Sequence, residues 1–272
     1  MNDSSFNVSG PLRVVTHNAF WFQGAPFEGE QPPAPRAEII TALAALYAEM
    51  EVDLLFLQEV QSERVLDVLS DILGMNGVYC PGNELPAYGG ALLWRPGLLV
   101  RSSDSRGASV APQRMWQMAE IDGPHGPALR VVGLHLPSDR GLPPGEGGRR
   151  RLEEVRALLD RSDTVDLLMG DLNEEPDGEL GRYLSDHNYV CTSPPDDVEA
   201  TALSGRRSDH IWVRADRQDR VVDAGMVASS WLRLDISGKQ HLSDHLPLWV
   251  LYDMAPRRTV EEIGRGAGRA RS

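Results

Sequence analysis

The chain has 272 residues, of which 27 are basic and 40 acidic, for a formal net charge of −13, and 41% of it is hydrophobic against 25% charged. That length holds one large domain or two small ones, because single cores stop growing at roughly 250–300 residues, and one domain is the expectation. The composition excludes a disordered, collagen-like or disulfide-stapled chain, and no apolar run approaches the roughly 20 residues of a membrane span. The acid excess repels polyanions at long range, so a broad grip on duplex nucleic acid would require locally concentrated basic residues. Cys80 and Cys191 lie far apart with no ligand-like spacing, which fits a reducing compartment and packing roles. No secretory signal is legible in MNDSSFNVSGPLRVV, so the expected location is the cytoplasm.

Leu12 to Thr16 is a β-branched run that predicts a first strand, Arg36 to Met50 carries Ile39, Leu43, Leu46 and Tyr47 at helical spacing, and Asp53 to Leu57 predicts a buried strand. Between the first two, Phe22 to Pro35 is rich in Pro and Gly and predicts a long loop beside the substrate. Ser62 to Leu73 reads as helix. Gly90 to Trp94, Met115 to Ile121 and Leu129 to Leu134 read as strands, Arg149 to Leu159 as an amphipathic helix, and Val165 to Met169 as another buried strand. His210 to Arg214, Val221 to Val227 and Leu246 to Tyr252 are again strand-like. Alternation of strand and helix without internal repeats predicts an α/β fold. The expected organisation is a flexible terminus at 1–10, a folded domain over 11–254 and an Arg-rich tail at 255–272. That tail holds five Arg and two Glu, so it is +3 and the remainder −16, a composition that predicts a solvated, disordered end.

Polar residues interrupt the apolar runs at strand ends: Asn18 after LRVVTH, Glu59 after LLFLQ, His135 after VVGL, Asp171 with Asn173 after LLMG, Asp209 in RRSDHIWVR, and Asp244 with His245 in HLSDHLPLWV. Singly, each has a plain local explanation. Asn18 can cap a turn, Glu59 can start a helix, and Asp171 and Asp244 can form Asx-turns. Together they bring acids, amides and imidazoles from several strands to one rim of a sheet, where α/β enzymes place their sites. Four carboxylates meeting there, Glu59, Asp171, Asp209 and Asp244, repel one another unless a cation neutralises them. Oxygen-rich donors without thiolates favour a hard ion, Mg²⁺ or Mn²⁺, which leaves positions for water and a phosphate oxygen. An imidazole beside phosphorus donates hydrogen bonds or protons, and an Asp paired with it fixes its tautomer. The reaction class is phosphate ester hydrolysis.

These residues resemble the endonuclease/exonuclease/phosphatase superfamily. The motifs stand in family order from Asn18 to about Pro247: VVTHNAF, LQE ending at Glu59, YGGALLWR, GLHL, GDLN from Gly170 to Asn173, Asp209 before IWV, and SDH-x-P from Ser243 to Pro247. The resemblance implies a four-layer α/β/β/α sandwich of two mixed β-sheets flanked by helices, with its site at one end, and makes 11–254 the catalytic domain. By similarity, Glu59 would bind the catalytic Mg²⁺, with Asn18 and Asp244 contributing directly or through water. Asp171 would orient or deprotonate the attacking water, and Asn173 would hold a nonbridging phosphate oxygen. His245, oriented by Asp209, would stabilise or protonate the phosphorane, with His135 as its counterpart on the other side. No covalent enzyme intermediate is required.

This chain departs from the family pattern at His210, where many relatives carry an aromatic residue. His210 is a substrate-contact candidate that could instead face the second sheet. His241, Arg140 and Arg207 are further substrate-binding candidates, Arg206 beside Arg207 is open to the same reading, Arg149 to Arg151 with Arg140 could grip a second phosphate or an anionic tail or simply begin a solvated helix, and His17 reads as packed. The expected partner is a phosphate-ester substrate, first a small molecule or nucleotide because of the net acidity and the long loop. DNA or RNA is the alternative, and a non-catalytic binding module on the same fold is the third reading.

Overall fold

The longest apolar runs build the centre of the molecule. In the computed structural model, which describes residues 10–26, 34–122, 129–161, 165–194, 200–236 and 238–254, β1 (Leu12–Asn18) leads through the helix α1 (Ala37–Glu49) to β2 (Leu54–Val60). β1 and β2 pair in parallel, and every residue of β2 is buried, as expected for a strand covered on both faces. Then follow α2 (Glu63–Leu73), β3 (Asn76–Cys80), β4 (Gly89–Trp94), β5 (Val100–Asp104), β6 (Met115–Ile121) and β7 (Leu129–His135). A second crossover, α3 (Glu146–Arg161), leads to β8 (Leu167–Asp171), parallel to β7. The chain closes with α4 (Glu179–Asp186), β9 (Tyr189–Ser193), β10 (Asp209–Arg214), β11 (Val221–Met226), a ribbon of β12 (Arg233–Ile236) and β13 (Lys239–His241), and β14 (Leu248–Tyr252).

Two six-stranded sheets result, ordered β11-β14-β1-β2-β4-β3 and β5-β6-β7-β8-β10-β9. Alternation along each strand divides the core into three apolar layers. Val15, Leu55 and Leu57 pack under Ile39, Leu43 and Tyr47 of α1 and Leu66 and Leu69 of α2. Val14, Leu54 and Phe56 face Val131, Leu167, Met169 and Ile211 of the other sheet. Val132, Leu168 and Trp212 meet Leu152 and Val155 of α3 and Leu180 and Leu184 of α4. The architecture is therefore the four-layer α/β/β/α sandwich that the resemblance implies. Among the described residues no helix is long and apolar enough to cross a membrane.

Several elements differ from expectation, for physical reasons. The edge strands β3, β5 and β9 and the short helix α4 are absent from the sequence reading. β3 and β5 are partly exposed and carry polar residues, so the apolar alternation that marks a strand is weak in them. The first, seventh, eighth and tenth strands extend to include Asn18, His135, Asp171 and Asp209, because pairing with neighbours continues past the last apolar residue. Residues 1–9 of the expected flexible terminus (1–10), the middle of the Pro-rich loop (27–33) and the Arg-rich tail (255–272) lie outside the described residues.

Close approach of the sheets depends on Gly133 of β7. A Cβ there would lie 2.2 Å from the Phe56 ring, which occupies the space. Gly133→Ala is therefore expected to destabilise the fold by about 1–3 kcal/mol through overpacking. Because the two positions touch, Gly133→Ala with Phe56→Leu should cost less than the sum of the single changes, which thermal unfolding of the three variants measures.

Candidate active site

Strand direction decides which residues meet. The C-terminal ends of the parallel strands β1, β2, β7 and β8 lie at one edge of the sandwich, and antiparallel neighbours reach that edge with their N-terminal ends. Within the second sheet, His135, Asp171 and Asp209 stand side by side, His135 opposite Asp171 and Asp209 opposite Asp171 in register. From the first sheet come Asn18 and Glu59, and from the turn before β14 come Asp244 and His245. Across the sandwich, Asn18 Nδ2 donates to Asp171 Oδ2 at 3.2 Å, so one buried hydrogen bond joins the two sheets at this edge.

Local backbone devices aim the side chains. Glu59 interrupts the β2–β4 ladder between Gln58 and Val60 and has a φ of +56°, the left-handed turn of a bulge that redirects a side chain. For a non-glycine residue that conformation costs about 1–2 kcal/mol. Asn173 also adopts a left-handed φ of +53°, which Asn tolerates readily, and its N–H donates to Asp171 Oδ1 at 3.0 Å. Just before Asp171, Gly170 has a φ of +138°, and a Cβ there would lie 2.0 Å from the Leu134 carbonyl oxygen. Asn173 Nδ2 in turn donates to the Leu136 carbonyl at 3.0 Å.

His245 Nδ1 lies 2.9 Å from Asp209 Oδ2. The same Asp209 oxygen accepts from Thr201 Oγ1 at 2.7 Å and Ser208 Oγ at 3.3 Å. His245 Nε2 faces the other acids, 4.0 Å from Asp171 Oδ2 and 3.9 Å from Asp244 Oδ1. Burial alone would lower the His245 pKa. The Asp209 charge and hydrogen bond, with Asp171 and Asp244 behind them, outweigh burial and hold it well above the usual histidine value. The pair is thus an imidazolium steadied by a carboxylate.

His17 holds the backbone of the same turn. Its Nε2 is 3.1 Å from the His245 carbonyl oxygen and its Nδ1 is 2.7 Å from Tyr47 Oη. Burial keeps the His17 pKa at about 3, so the ring is neutral. A carbonyl only accepts, so Nε2–H donates to His245, and Nδ1 accepts from the Tyr47 hydroxyl. Ser243 adds a second tie by donating to the Asn18 carbonyl at 2.7 Å. His17→Leu, which strands both partners, is expected to cost about 2–4 kcal/mol and Tyr47→Phe about 1 kcal/mol, read as shifts in the urea midpoint.

Above this floor opens a cavity of about 510 Å³. One wall is aromatic. The Trp21 indole N–H donates to the Ala87 carbonyl at 2.8 Å, Trp21 meets Tyr88 edge-on at a centroid distance of 5.0 Å, and Arg114 lies over the Tyr88 ring at 4.7 Å. Arg114 also donates to His135 Nε2, and through Nη2 to Ser138 Oγ at 3.2 Å. Burial, then the Arg114 charge, put the His135 pKa well below its usual value, leaving a neutral ring whose Nε2 is the acceptor. Neither Tyr88, which opens the YGGALLWR motif, nor Arg114 was nominated as a site residue from the sequence, where polar residues after strands were followed. Both precede antiparallel strands, β4 and β6, and reach the rim from the opposite chain direction.

Sequence-nominated residues divide cleanly. Asn18, Glu59, His135, Asp171, Asn173, Asp209, Asp244 and His245 meet at this rim. Arg140 lines the cavity. His210 does not: it is buried, with Nε2 against the Arg207 carbonyl at 2.8 Å and Nδ1 accepting from Trp212 Nε1, because β10 turns it toward the α3–α4 layer. His241 lies in the β12–β13 ribbon, bridged to Ala25, and lines a separate shallow depression. Arg206, rather than Arg207, lines the cavity. Arg149, Arg150 and Arg151 are engaged with carboxylates, Arg151 being buried against Glu174 and Asp139.

The donor set fits a hard cation. Glu59 Oε2 and Asp244 Oδ1 are buried without a hydrogen-bond partner among the described residues. Burial pushes Glu59 up to about 8, with Arg114 opposing and Asp244 and Asp171 reinforcing the rise, so its anionic form needs a positive neighbour. Asp171, Asp209 and His245 offer donor atoms within 4.8 Å of one another. Asp209 Oδ2 already takes three donors and Asp209 does not line the cavity, so the carboxylates that face an ion there are those of Glu59, Asp171 and Asp244.

Residues 4–245 match the Endonuclease/Exonuclease/phosphatase family, and the chain belongs to that family of hydrolases acting on phosphoester bonds. The human Nocturnin catalytic domain with bound sulfate is similar over 90% of this chain and 94% of its own, with 18% identity and a TM-score of 0.67. D. rerio TDP2 complexed with a single-strand DNA product is similar over 90% and 100%, with 15% identity and a TM-score of 0.65. A family protein from Leptotrichia buccalis is similar over 89% and 99%, at 17% identity and 0.61. At these identities the likeness is one of fold. No curated protein matches the chain.

Behind Arg114, Glu154 of α3 accepts the Gln113 N–H at 2.8 Å, and burial pushes its pKa up to about 7. A carboxyl whose folded pKa exceeds its unfolded value favours folding while protonated and loses that advantage as pH rises from about 4.5 to 7. Glu154→Gln, which is neutral throughout, should therefore gain on the parent over that window, reaching about 1–3 kcal/mol at pH 8 and little at pH 4. Urea unfolding at both pH values measures the difference.

Proposed function

We propose that this protein is a divalent-metal-dependent phosphoesterase that hydrolyses a phosphodiester or phosphomonoester by in-line attack of water, on a small molecule or nucleotide. The observation that carries the reading is the meeting of Glu59, Asp171 and His245 at one cavity, with Asp209 against the His245 ring from behind. A Mg²⁺ or Mn²⁺ ion held by Glu59, with Asn18 and Asp244, would supply charge neutralisation and polarise a phosphoryl oxygen.

The remaining chemistry belongs to the chain. Asp171, held by Asn18 Nδ2 and the Asn173 N–H, takes the proton of the attacking water. Asn173 and Arg114 steady nonbridging phosphoryl oxygens, Arg114 supplying a fixed positive charge beside the neutral His135. As the bond to the leaving oxygen breaks, His245 gives its Nε2 proton to that oxygen, and Asp209 stabilises its charged form before transfer. The aromatic wall of Trp21 and Tyr88 receives the organic part of the substrate. The cavity volume falls within the range of small-ligand sites, roughly 300–1,000 Å³. A nuclease is the second reading, supported by the likeness to the TDP2 complex with a DNA product and by arginines at the cavity.

Bis(p-nitrophenyl) phosphate should be hydrolysed with Mg²⁺ or Mn²⁺ and not after chelation. Asp171→Ala and His245→Ala in folded protein should each lower kcat by about 10²–10⁴-fold. Turnover independent of metal, or full activity in either variant, overturns the scheme. Plasmid nicking that falls steeply with salt would favour the nuclease; nucleotide turnover without nicking would remove it.

A further inference from the structure

Three arginines line the cavity: Arg114, Arg140 and Arg206. Among the described residues, ten others form carboxylate salt bridges, including Arg95, Arg101, Arg130 and Arg214. None of those ten lines the cavity, and none of the three that line it has such a partner among the described residues. That separation is unexpected on charge alone, since Glu59, Glu84, Asp139, Asp171 and Asp244 line the same space. The acids of the mouth are committed elsewhere: Asp139 to Arg151 at 3.0 Å and Glu84 to Arg150 at 3.4 Å. The arginines of α3 thus pair with Asp139 and Glu84, and the cavity guanidiniums keep their charge unpaired by a carboxylate among the described residues.

The three arginines have different stations. Arg114 lies on the floor, against His135 and Ser138. Arg140 comes five residues after His135, beyond β7, and Arg206 three residues before Asp209, ahead of β10. β8 runs between those strands, so the loops that carry the two arginines leave the sheet on either side of the strand that ends in Asp171, from strands roughly 10 Å apart, and both arginines line the one cavity. Arg206 is anchored there by one N–H, which donates to the Asn173 carbonyl at 2.9 Å, the one side-chain hydrogen bond of its guanidinium among the described residues. Arg140 is exposed, and its charge acts on both Asp244 and Tyr88, groups on opposite sides of the opening.

We infer that Arg140 and Arg206 form a second anion subsite above the reacting phosphoryl group, so that preferred substrates carry two phosphoryl groups of which one is hydrolysed. Guanidinium forks suit a phosphate in this position because each can donate two parallel hydrogen bonds. The second phosphate undergoes no bond change; it orients the substrate while water adds to the first phosphorus and the ester oxygen leaves with a proton. This inference rests on the phosphoesterase reading.

Two chromogenic esters with the same scissile bond test it: p-nitrophenyl thymidine 5′-phosphate and its 3′-phosphorylated counterpart. The parent protein with Mg²⁺ should show at least a tenfold higher kcat/KM for the second compound, mostly through KM. Arg140→Met with Arg206→Met, checked for folding by circular dichroism, should bring that ratio to about one. Equal kcat/KM for the two esters in the parent, or an unchanged ratio in the double variant, overturns the subsite. If neither ester nor bis(p-nitrophenyl) phosphate is hydrolysed, the phosphoesterase reading fails, and calorimetry then judges the subsite alone. Thymidine 3′,5′-bisphosphate binding at least tenfold tighter than the 5′-monophosphate, with the gap lost in the double variant, supports it, and equal binding overturns it. A dinucleotide ester with an internal diester in place of the terminal 3′-phosphate separates the two sources of this chemistry. Retained preference assigns the subsite to a nucleic-acid backbone, lost preference to a terminal phosphate on a small molecule.

Discussion

Two sheets pressed face to face by an apolar layer must bring their polar strand ends to the same edge, and the site follows from that constraint. Val14, Leu54 and Phe56 on one side and Val131, Leu167 and Met169 on the other have nowhere to go but against each other. Once they do, Asn18 and Asp171 end within hydrogen-bond distance, and groups separated by 153 positions in the chain share one floor. Gly133, by admitting Phe56 to the backbone of β7, sets how closely the sheets approach.

The rim is electrostatically uneven in a useful way. Its carboxylates are buried where anions are unfavourable, and the left-handed turn at Glu59 adds a local conformational cost. Such groups persist where the surrounding fold over-determines them and a counter-charge is available. His245 supplies part of that charge and is itself oriented by Asp209. Arg114 supplies more, from a position fixed by stacking on Tyr88 and by donation to neutral His135. Farther out, α3 matches Asp139 and Glu84 with Arg151 and Arg150, so acids and bases are sorted between floor and mouth.

Much of this was legible in the chain. The αβ alternation and the residues that end several strands appear as apolar runs capped by a polar group, and GDLN and SDHLP mark two of the site segments. Edge strands such as β3 and β5 were not legible because one side of an edge strand is solvated and its apolar alternation fades. Tyr88 and Arg114 were missed because they come before their strands, and only knowledge of which strands run antiparallel turns a preceding residue into a rim residue. His210 illustrates the converse: adjacency in sequence to Asp209 does not decide which way a side chain faces, since successive residues of a strand point to opposite sides.

What the sequence by itself determined, then, was the inventory: which acids, amides and imidazoles terminate apolar strands, and hence the chemistry available to them. Tertiary structure decided membership and station, placing Arg206 and not Arg207 at the cavity, setting His241 in a ribbon beside a separate depression, and turning His17 into a support for the His245 backbone. The reason is that strand identity is written in local hydrophobic pattern, whereas sheet order, strand direction and the facing of each side chain are settled by burial of the whole core at once.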